Sequence, residues 1–234
     1  MNPSPLRLSV ISQSEPHIAK VTAFVTRRRE DIAELLVFQH PTAGIQLPAG
    51  TIDDGETPLQ AVVREVFEET GLTSLGSVTS IGLMSAMGAR TDRMVVASTP
   101  LYAEPSVDSD TIPITIGMGV EVPTLRRGYW CEWVSDDGDW RRVAYHYGAV
   151  VDGVETLSRK LGWVPAEFLA ADVTREMFHV PVISTTPDRW MHSCEGDGLQ
   201  GYEVFWTPLE SPAALVESNR RWLEFVREAL EALI

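Results

Sequence analysis

Basic residues are scarce in this chain: 19 lysines and arginines stand against 33 aspartates and glutamates, a formal net charge of −14 at pH 7. That excess of anions argues against a nucleic-acid polymer or an anionic membrane as the main partner. A free nucleotide stays open, because a bound cation inverts the charge of a small site. Cysteine is nearly absent too. Cys131 and Cys194 are far apart and form no C-x-x-C pattern, so two reduced thiols are expected, with one disulfide as the alternative. No apolar run is long enough to span a bilayer, and MNPSPLRLS lacks the hydrophobic stretch of a secretion signal. These absences point to a cytoplasmic protein. At 234 residues and 44% hydrophobic, the chain is one large domain or two small ones with a real core.

What the sequence does have is concentrated in Gly50 to Leu72, GTIDDGETPLQAVVREVFEETGL. A polar turn, TIDD, lies between Gly50 and Gly55. Thr57 then reads as an N-cap, with Pro58 at the first helical position and Gln60 three residues after the cap. Gly71 ends the helix, being free to take the left-handed conformation. At helical spacing Leu59, Val62, Val63, Val66 and Phe67 are expected on one face. Glu65, Glu68 and Glu69 are expected on the other, at i, i+3 and i, i+4 spacing. Like charges so placed repel, and Glu68 and Glu69 lie in the last turn, where the macrodipole disfavours anions. A shared cation reconciles them, and oxygen-only ligands select Mg²⁺ or Mn²⁺ over zinc.

The segment resembles the Nudix box, Gly-x5-Glu-x7-Arg-Glu-U-x-Glu-Glu-x-Gly-U with U apolar. It matches at Gly50, Glu56, Arg64, Glu65, Val66, Glu68, Glu69, Gly71 and Leu72, with no departure. The resemblance implies metal-dependent hydrolysis of a pyrophosphate bond in a nucleoside diphosphate linked to another moiety. It implies Glu65, Glu68 and Glu69 as metal ligands, joined by the main-chain carbonyl of Ala49. Glu56 and Arg64 are implied as a structural ion pair that orients the acids, and Gly50 and Gly71 as backbone requirements. The general base is a box glutamate or a later one, Glu195 or Glu203. Trp190 and His192 are candidate base-contacting residues beside Glu195. The substrate stays open: the proline usual in ADP-ribose hydrolases is replaced by Gly88, and the tyrosine of dinucleoside polyphosphate enzymes and the NADH motif are absent.

Along the chain, IAKVTAFVT reads as a strand, RRREDIAE as a charged turn with Arg27 to Arg29 at a solvated hairpin end, and Leu35 to Phe38 as part of a second strand. LGSVTSIGLM is a further strand and SAMGARTDR a connector. From Met94 onward, short strands, turn residues and Trp130, Trp133, Trp140 and Trp163 suit a small all-β unit. TPLYAEPSVDSDTI, RRGYWCEWVSDDGDWRRVAY with its turn at SDDGD, and GWVPAEFLA are similar to a bacterial SH3-type domain over about Ser98 to Ala171. Asp172 to Ser184 is then a strand, TTPDRWMHSCEGDGLQG a loop, Tyr202 to Trp206 a strand, and Ser211-Pro212 caps a final helix. In that helix Leu215, Trp222, Leu223, Val226, Leu230 and Leu233 form the apolar face. The expected fold class is α/β: an α/β/α Nudix sandwich with a mixed sheet over 1–89 plus 172–234, interrupted at 90–171 by an SH3-like β-barrel. The expected partner is a small nucleotide-type substrate, and the insert would serve a homodimer or a protein partner. The alternative is a catalytically inactive Nudix-fold binding or regulatory protein whose insert contacts that partner.

Overall fold

The computed structural model describes residues 16–41, 43–87, 92–116, 120–151, 154–194 and 200–234. The chain begins with β1 (His17–Arg29), β2 (Ile32–His40), β3 (Gly44–Gln46), β4 (Ala49–Thr51), helix α1 (Pro58–Thr70) and β5 (Thr79–Met87). Nine strands follow: β6 (Asp92–Val95), β7 (Leu101–Tyr102), β8 (Thr111–Ile112), β9 (Ile114–Ile116), β10 (Val120–Val122), β11 (Trp130–Asp137), β12 (Trp140–Val151), β13 (Val154–Pro165) and β14 (Leu169–Ala170). It closes with β15 (Asp172–Pro181), β16 (Arg189–Cys194), β17 (Gln200–Pro208) and helix α2 (Glu217–Glu231).

The first and last groups form one mixed sheet in the order β16-β17-β2-β1-β15-β5, with β3 on β2 and β4 on β1. Its β1–β15 pair is parallel, and the other pairs are antiparallel. Side chains alternate across a strand, so β1 supplies both cores at once. Val21, Ala23 and Val25 pack with Ala61, Val62 and Val66 of α1. Phe24, with Leu35 and Val37 of β2, packs against Leu223, Val226 and Leu230 of α2. Each such aliphatic burial contributes about 1.5–3 kcal/mol. The result is helix, sheet, helix, as expected.

Local readings shift in several places. Arg27 to Arg29 belong to β1, and the turn shrinks to Glu30 and Asp31, with Glu30 at φ 54°. Arg27 is not solvated: it pairs with Glu34 and Asp188 and lies over Trp206. Arg189–Cys194, expected in a loop, is a strand because it pairs with β17 from Arg189↔Phe205 to Cys194↔Gln200. The last helix starts at Glu217 rather than after Ser211-Pro212. Val216 N–H donates to the Ile45 carbonyl at 3.0 Å, and Leu215 bridges Ile45, which holds the chain extended there. Leu215 therefore packs from outside the helix, and Leu233 is exposed. On α1 the buried face is Ala61, Val62, Glu65 and Val66, whereas Leu59, Val63 and Phe67 face outward. The outward trio lines a shallow hollow of about 530 Å³ with Gln60 and Arg64.

The second sheet runs β14-β6-β11-β12-β13-β7-β8, so every one of its strands falls between Asp92 and Ala170; β9 and β10 pair separately. The hairpin turns at Gly138, within the expected SDDGD, and a 3₁₀ turn spans Ala166–Phe168. Val95, Leu101, Ile114, Leu125, Cys131, Val143, Val164 and Leu169 form its own core. No pairing joins β14 to β8 among the described residues, so closure into an SH3-like barrel is not seen there. Burial pushes the Cys131 thiol up to about 12, and the thiol is free. A small cluster of Ile18, Met94, Ala170 and Val173 seats one sheet on the other. No described helix is long and apolar enough to cross a membrane.

Candidate active site

Two caps position the acidic helix. Thr57 Oγ1 accepts from Gln60 N–H while Gln60 Oε1 accepts from Thr57 N–H, the reciprocal capping box. At the other end Gly71 takes φ 77° and its N–H donates to the Phe67 carbonyl. Trp190 Nε1 donates to the Thr70 carbonyl at 2.8 Å, and His192 Nε2 lies 2.9 Å from the Glu68 carbonyl. These two candidates therefore satisfy the carbonyls that a helix end leaves without partners.

Arg64 is the hub. Its Nε and Nη2 each reach Glu56 at 2.9 Å, and Nη2 also donates to the Thr51 carbonyl at 3.0 Å. Its Nη1 lies 2.7 Å from Glu65 Oε1 and 3.1 Å from Glu68 Oε2. One guanidinium thus gathers three of the carboxylates that the box motif contains. The fourth, Glu69, accepts the Ala49 N–H at 2.9 Å, which ties helix to β4. Glu65 is buried to 9% exposure directly under Gly50, where a Cβ would stand 1.7 Å from its Oε1. That close approach is the reason for glycine at position 50.

The electrostatics follow the geometry. Hydrogen bonding to Arg64 holds the Glu56 carboxyl below its ordinary value. Burial raises the Glu65 carboxyl, with Arg64 opposing the shift, and the bonds to Glu56 raise Arg64 itself. Two cations that the sequence reading passed over stand behind Glu65. Lys20 on β1 is held down to about 8 by burial and by neighbouring Arg175; Arg175 on β15 is held down to about 10 by burial. They are register partners, and Arg175 lies 3.8 Å over the Trp222 ring. Lys20 within the IAKVTAFV run of β1 was the available signal; Arg175 on β15 stands among Thr174 and Glu176 and carried none. Arg127 was missed as well, and its contact with the Ile52 carbonyl spans 75 residues with no local trace.

The remaining candidates are dispersed. Glu203 on β17 pairs with Arg189 at 2.7 Å, and Glu195 lies outside the described residues. Gly88, where the sequence departs from the ADP-ribose type, also lies outside them. As a metal site, Glu65, Glu68 and Glu69 offer the all-oxygen donor set that suits a hard divalent cation. Glu65 and Glu68 already share one positive charge, that of Arg64. Among the described residues no group of three or more His, Cys, Asp or Glu is arranged around a common metal position.

Known proteins resemble this chain in part. The RNA pyrophosphohydrolase of Aliivibrio fischeri (strain MJ11) is 68% identical over 28 residues, 12% of this chain and 16% of that protein. The RNA pyrophosphohydrolase of Brucella ovis is 60% identical over 30 residues, 13% and 17% of the two chains. The chain thus spans about a sixth of the length of the curated relatives it matches. Among solved structures, the NUDIX domain of Shewanella oneidensis NrtR complexed with ADP ribose is 13% identical at TM-score 0.43, covering 95% of this chain and 94% of that one. A NUDIX-family hydrolase from Clostridium perfringens is 14% identical at TM-score 0.36, covering 93% and 99%. The family model described as the NUDIX domain matches residues 16–111, which hold β1 through β7 and the whole acidic helix.

Proposed function

We propose that the protein is a metal-dependent hydrolase that cleaves a pyrophosphate bond in a nucleoside diphosphate linked to another moiety, working in the cytoplasm. The observation that carries this reading is the Arg64 hub, which holds Glu56, Glu65 and Glu68 together beneath a loop whose glycine admits the buried carboxylate. Glu65, Glu68 and Glu69, with the Ala49 carbonyl, would hold Mg²⁺ or Mn²⁺. Bound there, the ion supplies charge neutralisation at the phosphoryl oxygens and a more acidic water. The protein's own part is positioning. Arg64 fixes the carboxylate directions, the Ala49 N–H orients Glu69, and the caps stop the helix from fraying. Glu203 is committed to Arg189, which leaves the base to the box glutamates or to Glu195.

The identity to RNA pyrophosphohydrolases covers only 28 or 30 residues, 12% or 13% of the chain, and a net charge of −14 disfavours an RNA chain. A small nucleotide-type substrate is the better fit. We assign the catalytic domain to 1–89 plus 172–234 and an inserted β unit to 90–171, supported by the segregation of strands between the two sheets. A binding or regulatory protein without catalysis is the second reading, favoured by Arg64 already neutralising Glu65 and Glu68. Phosphate release measured over nucleotide sugars, dinucleotides, nucleoside triphosphates and coenzyme A, with Mg²⁺ and with Mn²⁺, separates the two. Turnover of one class supports the hydrolase; silence across the panel, with no Mn²⁺ binding, leaves the binding protein.

A further inference from the structure

We infer that Arg127, from the second sheet's connecting loop, is a positioning residue of this active site, an inference that rests on the hydrolase reading above. The turn Thr51 to Asp54 covers the Arg64 hub; Ile52 N–H donates to the Ala19 carbonyl, Glu56 N–H to the Asp53 carbonyl and Asp53 N–H to Glu56 Oε2, each at 3.0 Å, while the Asp53 and Asp54 side chains are 67% and 97% exposed. Two guanidiniums take its consecutive carbonyls: Arg64 Nη2 binds Thr51 O and Arg127 Nη1 binds Ile52 O. Asp53 hangs between the same two groups, with Oδ2 3.8 Å from Arg64 and Oδ1 3.8 Å from Arg127.

Arg127 is itself anchored in the second sheet. Its Nε donates to the Val96 carbonyl at 2.9 Å, and Gly128 N–H donates to the Val95 carbonyl at 2.8 Å. Gly128, at φ 89°, lies flat on the turn, where a Cβ would stand 2.6 Å from Thr51 Oγ1. From below, Lys20 Nζ reaches the Gly128 carbonyl at 3.4 Å. A guanidinium presents several donors in a rigid fork, so it fixes directions where an ammonium supplies only charge. Losing Arg127 removes the donor to the Ile52 carbonyl and one of the two guanidiniums beside Asp53, loosens Thr51 against Arg64, and lets the carboxylates that Arg64 orients drift. Small misplacements of this kind cost up to about a hundredfold in rate.

The test compares the full wild-type chain with Arg127→Ala, and with Arg127→Gln should the alanine variant fail to fold. Hydrogen exchange at residues 51–55 should quicken about tenfold in the variant, while β12 and β13 stay unchanged. Mn²⁺ affinity, read by the loss of free-ion EPR signal, should fall about fivefold, and kcat about tenfold with KM within about twofold. A merely stabilising arginine would lower the melting midpoint and leave Mn²⁺ affinity and kcat alone, and that pattern overturns the inference. Unchanged exchange at 51–55 overturns it too. A wild-type chain that neither binds Mn²⁺ nor turns over any substrate sinks the hydrolase reading instead, and the exchange comparison then decides by itself whether Arg127 holds the turn.

Discussion

The two helices, with four charged side chains on α1 and seven on α2, use their charge in opposite ways. On α2, Glu217 in the first turn accepts from Arg220 and Arg221, and Arg220–Glu224 and Arg227–Glu231 follow at i, i+4 spacing. Each of those pairs is exposed, and Glu217 suits the dipole at its end. Neither helix has a basic residue in its last turn, but on α1 the acids crowd the later turns around Arg64 and Glu65 is buried. One helix spends charge on solubility and lies over the sheet as a cover. The other holds charge against its own preference, and Arg64 together with β4 restrains it. Buried charge with a built restraint marks a working site; exposed, paired charge marks a surface.

The widest separation between the helices is expected in turnover. Glu68→Gln should cut kcat by about a hundredfold or more while circular dichroism stays the same. Activity equal to wild type would remove Glu68 from the mechanism and reduce α1 to another cover. The hub should next declare itself in acid. Because Arg64 holds Glu56 below its ordinary value of 4.5, the unfolded chain takes up that proton first as pH falls. The stabilisation is complete above that value and is lost as pH falls through the depressed native one. In urea titrations from about pH 7 down to pH 3, the stability advantage of wild type over Glu56→Gln should therefore shrink. An advantage independent of pH would break the pairing.

Capping gives a smaller contrast. Thr57→Ala removes the side-chain cap of α1 and should cost about 1 kcal/mol by denaturant unfolding. Helix α2 has Val216 at its N-cap with no side-chain bond, so it has no equivalent to lose. Smallest of all, Glu224→Gln on α2 should leave both the denaturation midpoint and any turnover indistinguishable from wild type. A measurable loss there would show that α2 is more than a cover.

Local chemistry determined a great deal. Thr57, Pro58, Gln60 and Gly71 specify where α1 begins and ends, because capping and left-handed glycine act within one turn. The box spacing specified which acids meet Arg64, since the bonds from Arg64 to Glu65 and Glu68 run along one helix. Tertiary structure decided the rest. Which side of α1 is buried turned on Glu65 entering the space under Gly50, which left Leu59, Val63 and Phe67 outside. Strand β16 exists because β17 offers it a ladder, and α2 starts late because Ile45 holds Val216. Arg127 reaches Ile52 only once two sheets have docked. Short-range preferences are written within a few residues of where they act, whereas a pairing partner or a brace from 75 residues away leaves no mark until the chain has closed that loop.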